Sequence, residues 1–140
     1  MESLNRIALI DDDPICHLIS SKMIKKFSDM KVESYTDARE ALFQLKWRAE
    51  NELTIFPEVI LLDIDMPVMT GWQFLDEFQH LPEVALNKTN VIILSSSSHH
   101  TDVRKSKEYS IVKDFFSKPL TEEKVKMISQ LEVSTKKKDQ

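Results

Sequence analysis

Short apolar runs alternate with longer amphipathic stretches from one end of the chain to the other. Compact apolar runs bounded by polar residues fit buried strands, whereas apolar residues recurring every three or four positions fit helices packed by one face. The runs predict strands at Arg6–Ile10, Lys31–Tyr35, Val59–Leu62, Asn90–Leu94 and Asp114–Ser117. After Pro14, a residue suited to a first helical turn, Ile15, Leu18, Ile19, Met23 and Phe27 recur at helical spacing. Asp37 is placed to cap a second helix, with Ala38, Ala41, Leu42, Leu45 and Ala49 on one face. Thr70 opens a third, with Phe74, Leu75, Phe78 and Leu81 inward. Thr101 to Tyr109 is weaker, anchored by Val103 and Tyr109, and Thr121 begins a last helix bearing Val125, Ile128 and Leu131. Five such units predict an α/β fold, one mostly parallel sheet with helices on both faces and right-handed crossovers.

Composition narrows the function. At 140 residues, without an internal repeat or long linker, the chain is the size of one domain. The expected division is a folded domain over 1–133 and a polar tail over 134–140, where Lys136, Lys137 and Lys138 read as solvated. A net charge of −4 argues against a nucleic-acid binder. No stretch has the pattern of a signal peptide or the length of a membrane span. The single cysteine, Cys16, fits a reducing compartment, so the expected location is cytoplasmic. Gly71 is the only glycine, which excludes glycine-rich phosphate loops and dinucleotide fingerprints.

The chemistry gathers at strand ends. The first apolar run closes on Asp11-Asp12-Asp13, and the third on Asp63-Ile64-Asp65-Met66-Pro67. Carboxylates cannot be solvated within a run of Leu, Ile and Val, so each strand delivers its acids to its end. If those strands are parallel neighbours, several carboxylates share a small space. Two like charges about 4 Å apart repel by about 4 kcal/mol at an effective dielectric near 20. Such a cluster takes up protons or binds a cation. Its hard oxygen ligands favour Mg2+. Ser95 and Lys118 stand at the ends of the fourth and fifth strands, so all of these side chains fall on the rim where parallel sheets bind ligands.

With those residues in place, the chain resembles a response regulator receiver domain of two-component signalling, over essentially its whole length. The matching features are Asp11-Asp12, Asp63, Ser95, Lys118-Pro119 and Gly71, in order. The resemblance implies a flavodoxin-like sheet of five parallel strands in the order 2-1-3-4-5. It implies that Asp63 accepts a phosphoryl group from a sensor histidine kinase or a histidine phosphotransfer protein. It implies Mg2+, or Mn2+ in its place, bound by Asp12, Asp63 and the backbone carbonyl of Asp65, with Asp11 acting mainly through water. Lys118 and Ser95 would meet the phosphoryl oxygens, and Ser95 and Phe115 would form the switch. The readout face would be the fourth helix, fifth strand and fifth helix, used for partner binding, onward transfer or a weak phosphorylation-dependent dimer of an otherwise monomeric protein. Nothing after Leu131 offers an output domain, so the expectation is a stand-alone signalling phosphoacceptor rather than an enzyme, with its output supplied by another protein.

Other readings are plainer. Asp63-Ile64-Asp65 also imitates the acid pair of haloacid dehalogenase-like phosphohydrolases, which form an aspartyl phosphate with magnesium. That family needs Thr or Val where Pro67 stands, and its nucleophile normally lies on the first strand. A pseudo-receiver that binds partners without phosphorylation is disfavoured by the intact Asp12, Asp63, Ser95 and Lys118. Asp13 ahead of Pro14 reads as a helix cap. His99 and His100 are adjacent, point apart and have no cysteine nearby, so they do not read as metal ligands. His17 and His80 read as solvated, Cys16 as packed on the first helix, and Trp47 and Trp72 as helix-to-sheet packing.

Overall fold

The computed structural model describes residues 5–96 and 99–131. Five strands, β1 (Arg6–Ile10), β2 (Lys31–Tyr35), β3 (Val59–Leu62), β4 (Asn90–Ser95) and β5 (Val112–Ser117), form one sheet in the order β2-β1-β3-β4-β5. Every neighbouring pair is parallel. The helices are α1 (Pro14–Phe27), α2 (Ala38–Asn51), α3 (Gly71–Phe78), α4 (Glu83–Leu86), α5 (His100–Ser106) and α6 (Glu122–Ser129). The expected fold class therefore holds.

Side chains alternate across a strand, and this divides the core in two. Ile7 and Leu9 of β1, Val59 and Leu61 of β3, and Ile92 and Leu94 of β4 face one way, against Cys16 and Ile24 of α1 and Val125 and Ile128 of α6. Ala8, Ile10, Ile60, Leu62 and Val91 face the other way, against α2 and the Phe74, Leu75 and Phe78 side of α3. A strand covered on both faces reads as an unbroken apolar run, which is why β1, β3 and β4 were legible. β2 and β5 are edge strands with mixed burial. β5 starts earlier than the apolar pattern indicated, because a bulge opposite Val91 and Ile92 makes room for the exposed Lys113.

Two local features differ from the sequence pattern. The third helix stops at Phe78, and a separate turn of helix, α4, follows Pro82; Leu81 remains buried between them. The helix before β5, counted fourth from the sequence, is thus α5 here. In α1 the buried residues are Cys16, His17, Ser20 and Ile24. The apolar stripe that set the helical period is turned outward in its first half, with Ile15, Leu18 and Ile19 exposed by 65%, 57% and 42%. The tail expected over 134–140 lies outside the described residues.

Candidate functional site

Sheet register decides what meets at the C-terminal edge. Ile10 lies level with Leu62, so the next residues, Asp11 and Asp63, emerge side by side. The ladder runs one step past both strands. The Asp63 N–H donates to the Ile10 carbonyl at 2.9 Å, and the Asp11 N–H to the Tyr35 carbonyl at 3.0 Å. Across the sheet, Ser95 is level with Ser117, and the Lys118 N–H donates to the Ser95 carbonyl at 2.8 Å. Separate segments therefore reach one rim. Asp11 and Asp63 are buried there, at 1% and 4% exposure, while Asp12 faces solvent. One carboxylate oxygen from each of Asp11, Asp12 and Asp63 lies within 4.8 Å of the others.

The charges in this pocket do not balance. Lys118 Nζ stands 2.7 Å from Asp11 Oδ2 and 3.8 Å from Asp63 Oδ2. Burial works against the ammonium, but its hydrogen bond to Asp11 and the charges of Asp63 and Asp11 prevail and hold the Lys118 pKa above its ordinary value. The Asp63 carboxyl is pushed up to about 6, first by burial and then by the charge of Asp11. Lys118 and the Asp65 N–H, which donates to Asp63 Oδ1 at 3.3 Å, pull the other way without prevailing. A group of acids served by one lysine has the donor set and the charge deficit that a hard divalent cation satisfies. Mg2+ fits these residues.

The loop after Asp63 is held closely to the site. The Gly71 N–H donates to the Ile64 carbonyl at 3.1 Å. A Cβ on Gly71 would stand 2.6 Å from the Asp63 carbonyl oxygen and 2.7 Å from Ile64 Cα, so only glycine lets α3 begin there. Thr70 and Gln73 close a reciprocal capping box on that helix. Between them and Asp63, the Met69 N–H donates to the Pro67 carbonyl at 2.7 Å, with Val68 at φ 68°. This is a γ-turn in a conformation that β-branched residues seldom adopt.

The remaining candidates divide. Ser95 is wholly buried and Phe115 half-buried. Phe115 stands two residues before Ser117, so parity puts it on the same face of the sheet as Ser95. Asp65 is exposed, and its carboxylate is not part of the three-acid cluster. Lys124 Nζ donates to the carbonyls of Ser117 and Pro119, on either side of Lys118.

Asp13 caps α1 as its sequence context indicated, accepting from the Ile15 N–H at 2.9 Å. His17 does not follow the expectation of a solvated side chain. It is 8% exposed, and its Nε2 lies 2.6 Å from the Asp11 carbonyl oxygen. The signal that could have found it was position: it lies one helical turn beyond Asp13 and next to Cys16, on the strip that faces the acids. Cys16 is buried beside it, its thiol pushed up to about 11 by burial and then by Asp11, and so held protonated. Trp47 is 47% exposed rather than packed on the sheet. Trp72 packs against the core as expected and stacks on Tyr109 at 5.8 Å, with Lys105 Nζ 5.1 Å from the Trp72 ring centre. The Tyr109 hydroxyl donates to Asp76 Oδ1 at 2.7 Å, which ties the segment after α5 to α3.

Known proteins share this fold. Solved structures with the same fold include a two-component response regulator from Cytophaga hutchinsonii, 28% identical, with TM-score 0.82 over 91% of this chain and 95% of that one. Among curated proteins, the Arabidopsis thaliana two-component response regulator ARR11 is 30% identical over 89% of this chain and 22% of its own length. A protein-glutamate methylesterase/protein-glutamine glutaminase of Agrobacterium fabrum is 30% identical over 71% of this chain and 25% of its own. The chain spans about a quarter of the length of these curated relatives. Asp63 follows the third strand, whereas the nucleophile of a haloacid dehalogenase-like enzyme normally lies on the first. No helix among the described residues is long and apolar enough to cross a membrane. The model of the response regulator receiver domain matches residues 7–130, and the chain belongs to that family, as a receiver domain of two-component signalling.

Proposed function

We propose that Asp63 is the phosphoacceptor of this receiver. One oxygen of its carboxylate forms a bond to phosphorus as the P–N bond of a partner's phosphohistidine breaks, returning the electron pair to the imidazole. The supporting observation is the Asp63 carboxyl itself, buried and pushed up to about 6 beside Asp11, with Lys118 3.8 Å away. At pH 7 a group with that pKa is about nine-tenths ionised, and so available as a nucleophile. Asp12, Asp63 and the Asp65 carbonyl would hold Mg2+, with Asp11 acting through water. The ion supplies the positive charge that offsets repulsion between carboxylate and phosphoryl group. Lys118 is bound to Asp11 before the reaction. It would turn to a new phosphoryl oxygen, and Ser95 would donate to another. Inward movement of Ser95 would be followed by Phe115, altering the face formed by α5, β5 and α6.

The donor would be a sensor histidine kinase or a histidine phosphotransfer protein. Exposed Ile15, Leu18 and Ile19, on the helix that follows Asp11 and Asp12, offer it an apolar seat beside the site. We assign residues 1–133 to the receiver and place its action in the cytoplasm, with output through a protein partner or onward transfer. Intact-mass analysis after incubation with acetyl phosphate and Mg2+ tests this reading. The expected result is one added phosphoryl group that is absent without Mg2+ and in Asp63→Asn. Labelling of Asp63→Asn equal to that of the native chain would refute it.

A further inference from the structure

Where β1 leaves the sheet, its backbone passes directly into the acid pair. The carbonyl of Asp11 belongs to the peptide that joins Asp11 to Asp12, so with Asp11 held by the sheet the tilt of that plane bears on where the Asp12 side chain starts. The sheet holds the Asp11 N–H through Tyr35. The carbonyl is held by a side chain, His17 Nε2 at 2.6 Å.

A carbonyl oxygen only accepts, so Nε2 carries a proton. The other ring nitrogen, Nδ1, is buried without a partner, a cost that a leucine or methionine of similar bulk would avoid. His17 is also enclosed, at 8% exposure, in the row of α1 formed with Cys16, Ser20 and Ile24. The rest of the turn is already committed. Asp11 Oδ1 accepts the Asp13 N–H at 2.9 Å, and Asp11 Oδ2 faces Lys118 Nζ at 2.7 Å. Against that fixed frame, the His17 bond is the contact that orients the peptide leading to Asp12.

We propose that His17 is a positioning residue: its Nε2–H holds the Asp11–Asp12 peptide plane so that the Asp12 carboxylate joins those of Asp11 and Asp63. The part of this proposal that concerns Mg2+ rests on the function proposed above; the part that concerns the turn does not. Groups that orient ligands in this way typically change metal affinity by about 10–100-fold when removed.

The test uses the full chain with two substitutions. His17→Leu keeps the bulk and removes the donor; His17→Gln places an amide N–H near the position of Nε2. Mg2+ affinity is measured by calorimetry, and amide exchange at Asp13 by NMR in metal-free protein. Thermal melts establish that each variant is folded. His17→Leu should weaken Mg2+ binding about tenfold and speed exchange of the Asp13 amide about tenfold, while His17→Gln stays within about threefold of the native chain in both. The proposal is overturned if His17→Leu leaves the Asp13 exchange unchanged, or if the glutamine variant is as impaired as the leucine one. Should the native chain itself bind no Mg2+, the assignment of the metal falls, and the exchange result still decides the role of His17.

Discussion

Removing the charge of Asp63 should make the folded protein more stable at neutral pH, although it removes the group on which the proposed function depends. An acid whose pKa rises on folding is more protonated folded than unfolded, between its two pKa values. The stability contributed by the native chain therefore falls as pH rises through that window, here from 3.8 to about 6. The penalty is absent below the window and complete above it. Its size at 1.36 kcal/mol per pKa unit is about 3 kcal/mol. That figure already includes the partial relief from Lys118, because Lys118 is among the groups that lower the Asp63 pKa. Asp63→Asn retains the shape of the side chain and leaves the 2.7 Å Lys118–Asp11 pair in place. Urea unfolding at pH 7.5 without divalent cations should show the asparagine variant more stable by about 2–3 kcal/mol, a midpoint about 1–2 M higher. The difference should shrink as pH falls and vanish near pH 4. Mg2+ should then narrow it from the other side, by stabilising the native chain about 2.7 kcal/mol at a hundredfold excess over Kd and the variant less. A variant equal to or weaker than the native chain at pH 7.5, or a difference that ignores pH, would refute the account of the pocket as a store of uncompensated charge.

Three further outcomes follow from single contacts. Gly71→Ala forces a methyl group against the Asp63 carbonyl oxygen and the Ile64 backbone; chemical unfolding should show a loss of about 1–3 kcal/mol, with slower labelling of Asp63 by acetyl phosphate. Val68→Asn relieves a left-handed backbone at a side chain that is 75% exposed, so unfolding should report a gain of about 1 kcal/mol. Asp65→Asn removes an exposed charge that raises the Asp63 pKa, and decay of the phosphorylated form after donor removal should change rate while the melting temperature stays close to native. Unaltered decay would remove Asp65 from any kinetic role.

Much of the site was legible because strands deliver their polar ends to a common rim. Asp11, Asp63 and Ser95 each follow a run too apolar to be anything but buried, Lys118 follows the mixed edge strand β5, and the register of a parallel sheet then brings them to one rim. Other features were misread for identifiable reasons. The helical period of Ile15, Leu18, Ile19, Met23 and Phe27 located α1 correctly, but periodicity alone does not say which way a helix rolls. The row that faces the acids has to be compact and partly polar, so Cys16, His17 and Ser20 point inward and the apolar stripe opens to solvent. The apolar count carried the third helix to Leu81, whereas α3 stops at Phe78 and a separate turn of helix follows Pro82.

The order of apolar and polar residues by itself determined the five β–α units and the presence of an oxygen-rich cluster, since burial tolerates few arrangements of such a chain. The tertiary structure decided which acid Lys118 holds, how far the Asp63 carboxyl is pushed toward neutrality, and that a histidine secures the Asp11 backbone. These depend on distances between segments far apart in sequence. Electrostatic and hydrogen-bond energies change steeply over an ångström, whereas a hydrophobic pattern records only whether a position is inside or out.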